Sequence, residues 1–63
     1  MQYKDAIILL RQKLLLSQQE FAKMLGVSFA SVNRWEQGHH EPTYAARRKL
    51  MKLMKEYGIE VEW

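Results

Sequence analysis

Apolar side chains in this chain recur at helical spacing in four blocks, separated by short polar or glycine-bearing stretches. In the first block Tyr3, Ile7, Leu10 and Leu14 fall on one face, and Lys4, Arg11 and Lys13 lie largely off it, which predicts a helix over residues 3–15. The second block opens on Ser17-Gln18-Gln19-Glu20, the pattern of a capping box. Leu16 before the cap and Phe21 after it fit a hydrophobic staple, and Phe21, Ala22 and Leu25 form the inner face up to Gly26. A third helix, over about 28–37, starts at Ser28, turns Val32 and Trp35 inward and ends at Gly38.

A polar loop, His39-His40-Glu41-Pro42, leads to Thr43, the expected N-cap of a fourth helix over residues 44–57. Its inner face is Ala46, Leu50, Leu53, Met54 and Tyr57, and Gly58 closes it. The last five residues, Ile59-Glu60-Val61-Glu62-Trp63, alternate apolar and acidic side chains, which suits an extended segment with one buried face. Such a tail has three fates: a dimer-forming strand, a segment folded back on the core, or a frayed end. Residues 1–58 thus form one expected domain, with 59–63 as its C-terminal tail.

Composition narrows the class. With 63 residues, 48 % of them apolar, the chain suffices for one small core and little more. It has no cysteine, so disulfides and the usual thiolate zinc sites are excluded. The longest apolar runs, Ile7-Ile8-Leu9-Leu10 and Leu14-Leu15-Leu16, are too short to cross a bilayer, and no secretory signal pattern opens the chain. A soluble, cytoplasmic protein with no membrane partner is expected. The net charge is +3, with Arg47, Arg48, Lys49, Lys52 and Lys55 clustered near one end. Such a cluster is either a polyanion footprint or a solvated helix face.

Two short helices joined at a glycine make a helix-turn-helix, whose second helix can enter the major groove while the first braces it. The spacing meets the geometric demands: Ala22 where the helices cross, Gly26 at the turn, Val32 and Trp35 as anchors from behind. Helical spacing turns Phe29, Ala30, Asn33 and Arg34 outward. Arg can pair with guanine and Asn with adenine, whereas Phe29 and Ala30 can touch only apolar groups such as thymine methyls. Phe29 has two other readings, packing on its own domain or on a partner protein.

On these residues the chain resembles the lambda-repressor-like (Xre/Cro-type) helix-turn-helix family. The resemblance rests on Ser17, Gln18, Glu20, Phe21, Ala22, Leu25, Gly26, Val27, Ser28, Val32, Trp35, Glu36, Gly38 and Pro42, and with the flanking helices it covers nearly the whole chain. It implies an all-α, compact four- to five-helix domain and a sequence-specific transcriptional regulator of repressor type, prokaryotic or phage in kind, that binds double-stranded DNA. It also implies a homodimer, formed in solution or only on DNA. Gln18 matches a position that commonly contacts a phosphate, and helix N-termini favour anions independently of any family. Ser28 and Ser31 are further candidate phosphate donors; His39 and His40 are either phosphate contacts beyond the recognition helix or plain surface side chains, and Arg47, near the start of the fourth helix, is either a phosphate contact or simply solvated. Arg11 and Glu36 match a structural ion pair of the family. The chain departs from common members at Phe29 and Ala30, where polar or basic residues are usual.

Other chemistries have weaker support. His39 and His40 are neighbours in a loop with no third ligand nearby, so no metal is expected, and no cofactor motif occurs. There is no glycine-rich phosphate loop, paired-carboxylate cleft or nucleophile–base arrangement, so an enzyme is not expected. The chief rival is an antitoxin-like or adaptor module of the same fold that binds a protein partner through Phe29 and Trp63. A scaffold with a decayed DNA face is the other.

Overall fold

Every helix ends on the same backbone device. In the computed structural model, which describes residues 1–63, the helices are α1 (Tyr3–Lys13), α2 (Gln18–Leu25), α3 (Phe29–Gln37) and α4 (Tyr44–Glu56), with no strands. After each one a single residue turns left-handed and two amides reach back to the last-turn carbonyls, the Schellman arrangement. Thus Val27 N–H donates to Ala22 O at 3.0 Å, His39 N–H to Arg34 O at 3.0 Å and Ile59 N–H to Met54 O at 2.8 Å. The left-handed residues there are Gly26, Gly38 and Gly58. After α1 the same position is held by Leu15, at φ 58°. Its N–H donates to Gln12 O at 3.0 Å and that of Leu16 to Arg11 O at 3.2 Å. The first helix therefore stops at Lys13 rather than running to residue 15. The reversal turns Leu16 toward the core and leaves Leu15 89 % exposed.

The helix starts follow the sequence closely. Ser17 Oγ accepts the Glu20 N–H at 3.1 Å and Glu20 Oε1 accepts the Ser17 N–H at 2.8 Å, a complete capping box. Ser28 Oγ caps α3 through the Ser31 N–H at 3.1 Å, and Thr43 Oγ1 caps α4 through Ala46 N–H at 3.3 Å. The backbone N–H of Ser17, and after it the Ser17 hydroxyl, favour the charged form of the Glu20 carboxyl and hold it below the usual 4.5.

The helices close on Ala6, Ile7 and Leu10 of α1, Phe21, Ala22 and Leu25 of α2, Val32 and Trp35 of α3, and Ala46, Leu50 and Met54 of α4. Each large side chain fully buried here contributes roughly 1.5–3 kcal/mol. Tyr57, expected on the inner face of α4, is instead 42 % exposed. The helix ends at Glu56, Tyr57 becomes its cap, and the turn at Gly58 brings Ile59 into the core in its place.

The tail lies extended against the chain's own start. Gln2 and Glu62 form an isolated parallel bridge, with the Glu62 N–H donating to Met1 O at 2.8 Å. Trp63 stacks on Tyr3 with ring centroids 6.3 Å apart, and the Arg47 guanidinium lies 4.8 Å from the Trp63 ring centre. That contact combines aromatic packing with cation–π attraction.

One polar cluster ties three elements together. The Arg11 guanidinium of α1 grips the Glu36 carboxylate of α3 with two bonds, of 2.7 and 3.0 Å. Gln18 Nε2, at the start of α2, donates to the same carboxylate at 3.0 Å, and Arg11 Nη1 donates to Leu16 O at 3.1 Å. The Glu36 side chain is only 6 % exposed and that of Arg11 20 %. The hydrogen bond to Glu36 raises the Arg11 pKa further, against the opposing pull of its partial burial.

These features fix three outcomes. Leu15→Gly removes a left-handed leucine that buries almost nothing. Chemical denaturation should show it more stable by about 0.5–1 kcal/mol, since the gain exceeds the added entropy of the unfolded glycine. Arg11→Met strands the Glu36 carboxylate and should destabilise by about 2–4 kcal/mol, and adding Glu36→Met should recover much of that loss. A double mutant as unstable as the sum would show that the charges do not act as a pair. Glu20 stabilises above its unfolded pKa and loses that contribution as pH falls through its lower folded pKa. Thermal melts should therefore show the advantage of the parent over Glu20→Gln shrinking on acidification from about pH 5 to about pH 3.

Candidate nucleic-acid interface

The geometry of α2 and α3 follows from Gly26. Its left-handed turn, at φ 74°, reverses the chain in three residues, so that α3 packs across α2 with α1 behind it. Ala22 is 3 % exposed between them, and Val32 and Trp35 anchor α3 from within. Lys49 of α4 secures the turn from outside. Its Nζ donates to Leu25 O at 3.1 Å, a cation at the negative end of α2.

With Val32 and Trp35 inward and Glu36 clasped by Arg11, the rest of α3 turns to solvent. Phe29 is 48 % exposed, Ala30 and Arg34 are exposed, and Asn33 is half-buried. The structure thus brings the four base-reading candidates onto one face of α3. Arg34 enters none of the ion pairs of the chain. Gln37 lies on the same stripe, at i+7 from Ala30 and i+3 from Arg34, and is exposed. Gln37 is absent from the base-reading candidates above, yet helical spacing alone points it outward.

The phosphate candidates are placed less uniformly. Gln18 stands at the N-terminus of α2, with its amide on Glu36 and a second amide hydrogen left over. Ser28 and Ser31 lie at the start of α3 with their hydroxyls 2.9 Å apart. His39 and His40 are exposed just beyond α3, and His40 Nδ1 donates to Glu41 O at 2.8 Å. Arg47 is half-buried and engaged by its own domain. Its Nη2 donates to Glu41 Oε1 at 3.3 Å, its plane covers Trp63, and its Nε is buried without a partner. The Arg47–Trp63 contact joins residues far apart in sequence, and no local signal announces it.

An open cleft of about 790 Å³ separates the loop of His39, His40 and Glu41 from Tyr3, Glu62 and Trp63. No three His, Cys, Asp or Glu side chains gather as a metal-binding group. No helix is long and apolar enough to cross a membrane.

Comparison with known proteins agrees with this architecture. The helix-turn-helix family matches residues 7–63. An uncharacterized HTH-type transcriptional regulator of Haemophilus influenzae is 34 % identical over 44 residues, which is 70 % of this chain and 17 % of that protein. No solved structure matches the chain. The capped pair α2–α3, the glycine turn between them, the outward face of α3 and the family match over residues 7–63 together place the chain in the lambda-repressor-like helix-turn-helix family.

Proposed function

We propose that this chain is a sequence-specific, double-stranded-DNA-binding transcriptional regulator, a repressor in type, that inserts α3 into the major groove. The observation that carries the reading is the outward face of α3. Asn33 and Arg34 stand there beside each other on a helix fixed from behind by Val32, Trp35 and the Glu36 clasp. Arg34 suits a guanine edge and Asn33 an adenine edge. The free amide hydrogen of Gln18, the hydroxyls of Ser28 and Ser31, and the His39–His40 loop are the nearest donors for phosphates. Arg47 would join them by letting go of Glu41. The name of the Haemophilus relative, an HTH-type transcriptional regulator, supports a regulatory role, and the chain spans 17 % of that protein.

A single domain of this size makes few phosphate contacts, so it binds weakly alone and gains from pairing on DNA as a homodimer over two half-sites. Action in the cytoplasm, with neither cofactor nor catalytic step, completes the reading. One observation favours the protein-interaction alternative. Phe29 is a large apolar side chain 48 % exposed on α3, as docking of a protein partner through it requires.

Selection from a random duplex pool at near-physiological salt decides between them. An enriched motif is expected, and two copies at fixed spacing would indicate a dimer. Weak, salt-sensitive binding without enrichment would favour the protein partner instead. On the selected site, Arg34→Ala should weaken binding by roughly 10- to 100-fold and leave non-specific binding nearly unchanged. Equal loss on every sequence would make Arg34 a phosphate contact.

A further inference from the structure

A recognition helix meets base edges chiefly through its N-terminal residues. In this chain that end of α3 is apolar. Its exposed side chains are Phe29, at 48 %, and Ala30. The hydroxyls beside them belong to the cap: Ser28 Oγ accepts the Ser31 N–H at 3.1 Å and lies 2.9 Å from Ser31 Oγ. The core is closed by other residues, and Phe29 is not among them. One turn further along, Asn33 and Arg34 stand at i+4 from Phe29 and Ala30. The outward face is therefore divided, apolar at the leading end and hydrogen-bonding at the other.

We propose that Phe29, with Ala30 beside it, reads the C5-methyl group of a pyrimidine, and that this methyl is a determinant of the recognised site. This inference rests on the DNA-reading function proposed above. Among the groups that base pairs present in the major groove, the methyl is the apolar one. A hydrogen-bonding base edge laid against Phe29 would lose its water and gain no partner. Thymine supplies the methyl in ordinary DNA, and 5-methylcytosine presents the same group at the same ring position. The two halves of the face also set a spacing. Four residues of helix advance about 6 Å, a little under two base-pair steps of about 3.4 Å. With α3 following the groove, the methyl lies about two base pairs from the base that Arg34 or Asn33 contacts.

The test uses the full chain and the site selected from the random pool. Deoxyuridine replaces each thymidine in turn, and in a second series 5-methylcytosine replaces each cytosine. One uridine substitution should weaken binding by about fourfold, the loss for uncovering one methyl-sized group. Phe29→Ala should bind the thymidine and uridine forms equally, and Phe29→Leu should keep the discrimination. A methylated cytosine that tightens binding only when Phe29 is present, with no uridine effect, supports the same contact with the other base as its source. Binding indifferent to both replacements overturns the inference, and so does a Phe29→Ala protein that discriminates as well as the parent. A pool without an enriched motif overturns the DNA-reading function itself, so the two failures are told apart.

Discussion

The Glu36 carboxylate is the point on which the arrangement of helices turns. It is almost wholly removed from water, and a buried charge is tolerable only when its lone pairs are filled. Arg11 fills two positions and Gln18 a third, so one acid fixes the spacing of α1, the start of α2 and the last turn of α3. The apolar core by itself would allow α3 to slide or rotate by small amounts, since side-chain packing is not directional. The forked bond is directional, and it sets which residues of α3 face outward.

That constraint bears on recognition. Base reading needs side chains held within a few tenths of an ångström, which a short nine-residue helix does not ensure alone. Here the helix is capped at Ser28, closed at Gly38, anchored by Val32 and Trp35, and clasped at Glu36. The positive charge of the domain is distributed more sparingly than its sequence implies. Arg11 is neutralised by Glu36, Arg47 faces Glu41, and Lys49 is turned to a helix end. Arg34 is the arginine of α3 itself that has no acid beside it.

Local chemistry made much of the fold legible in the sequence. Ser17, Ser28 and Thr43 cap the helices they were expected to cap, because each bond joins residues three apart. The inner faces of α2 and α3 follow from helical period alone. What escaped depends on distant partners. Nothing near Leu15 marks it as a left-handed residue, since the position commonly holds glycine. Tyr57 reads as an inner residue until Ile59 takes that place. On α3, period placed Phe29, Ala30, Asn33 and Arg34 outward. It could not show Arg47 lodged between Glu41 and Trp63, because residues 47 and 63 meet only in the folded chain.

The joining of residues 1 and 62 has a consequence for how the domain opens. Regions held by few bonds unfold locally at a lower free energy than the core, in cooperative units. The first turn of α1, where the Ala6 N–H donates to Gln2 O at 3.0 Å, shares its support with the tail through the Glu62 bond to Met1. The two ends of the chain thus brace each other, and the bonds at Met1 and Gln2 link their opening. Amide protons at Ala6 and Glu62 should exchange with solvent through a common event, although they lie at opposite ends of the sequence. A ligand or partner that draws Trp63 away would loosen the start of α1 and uncover the Arg47 guanidinium, still bonded to Glu41, in the same step.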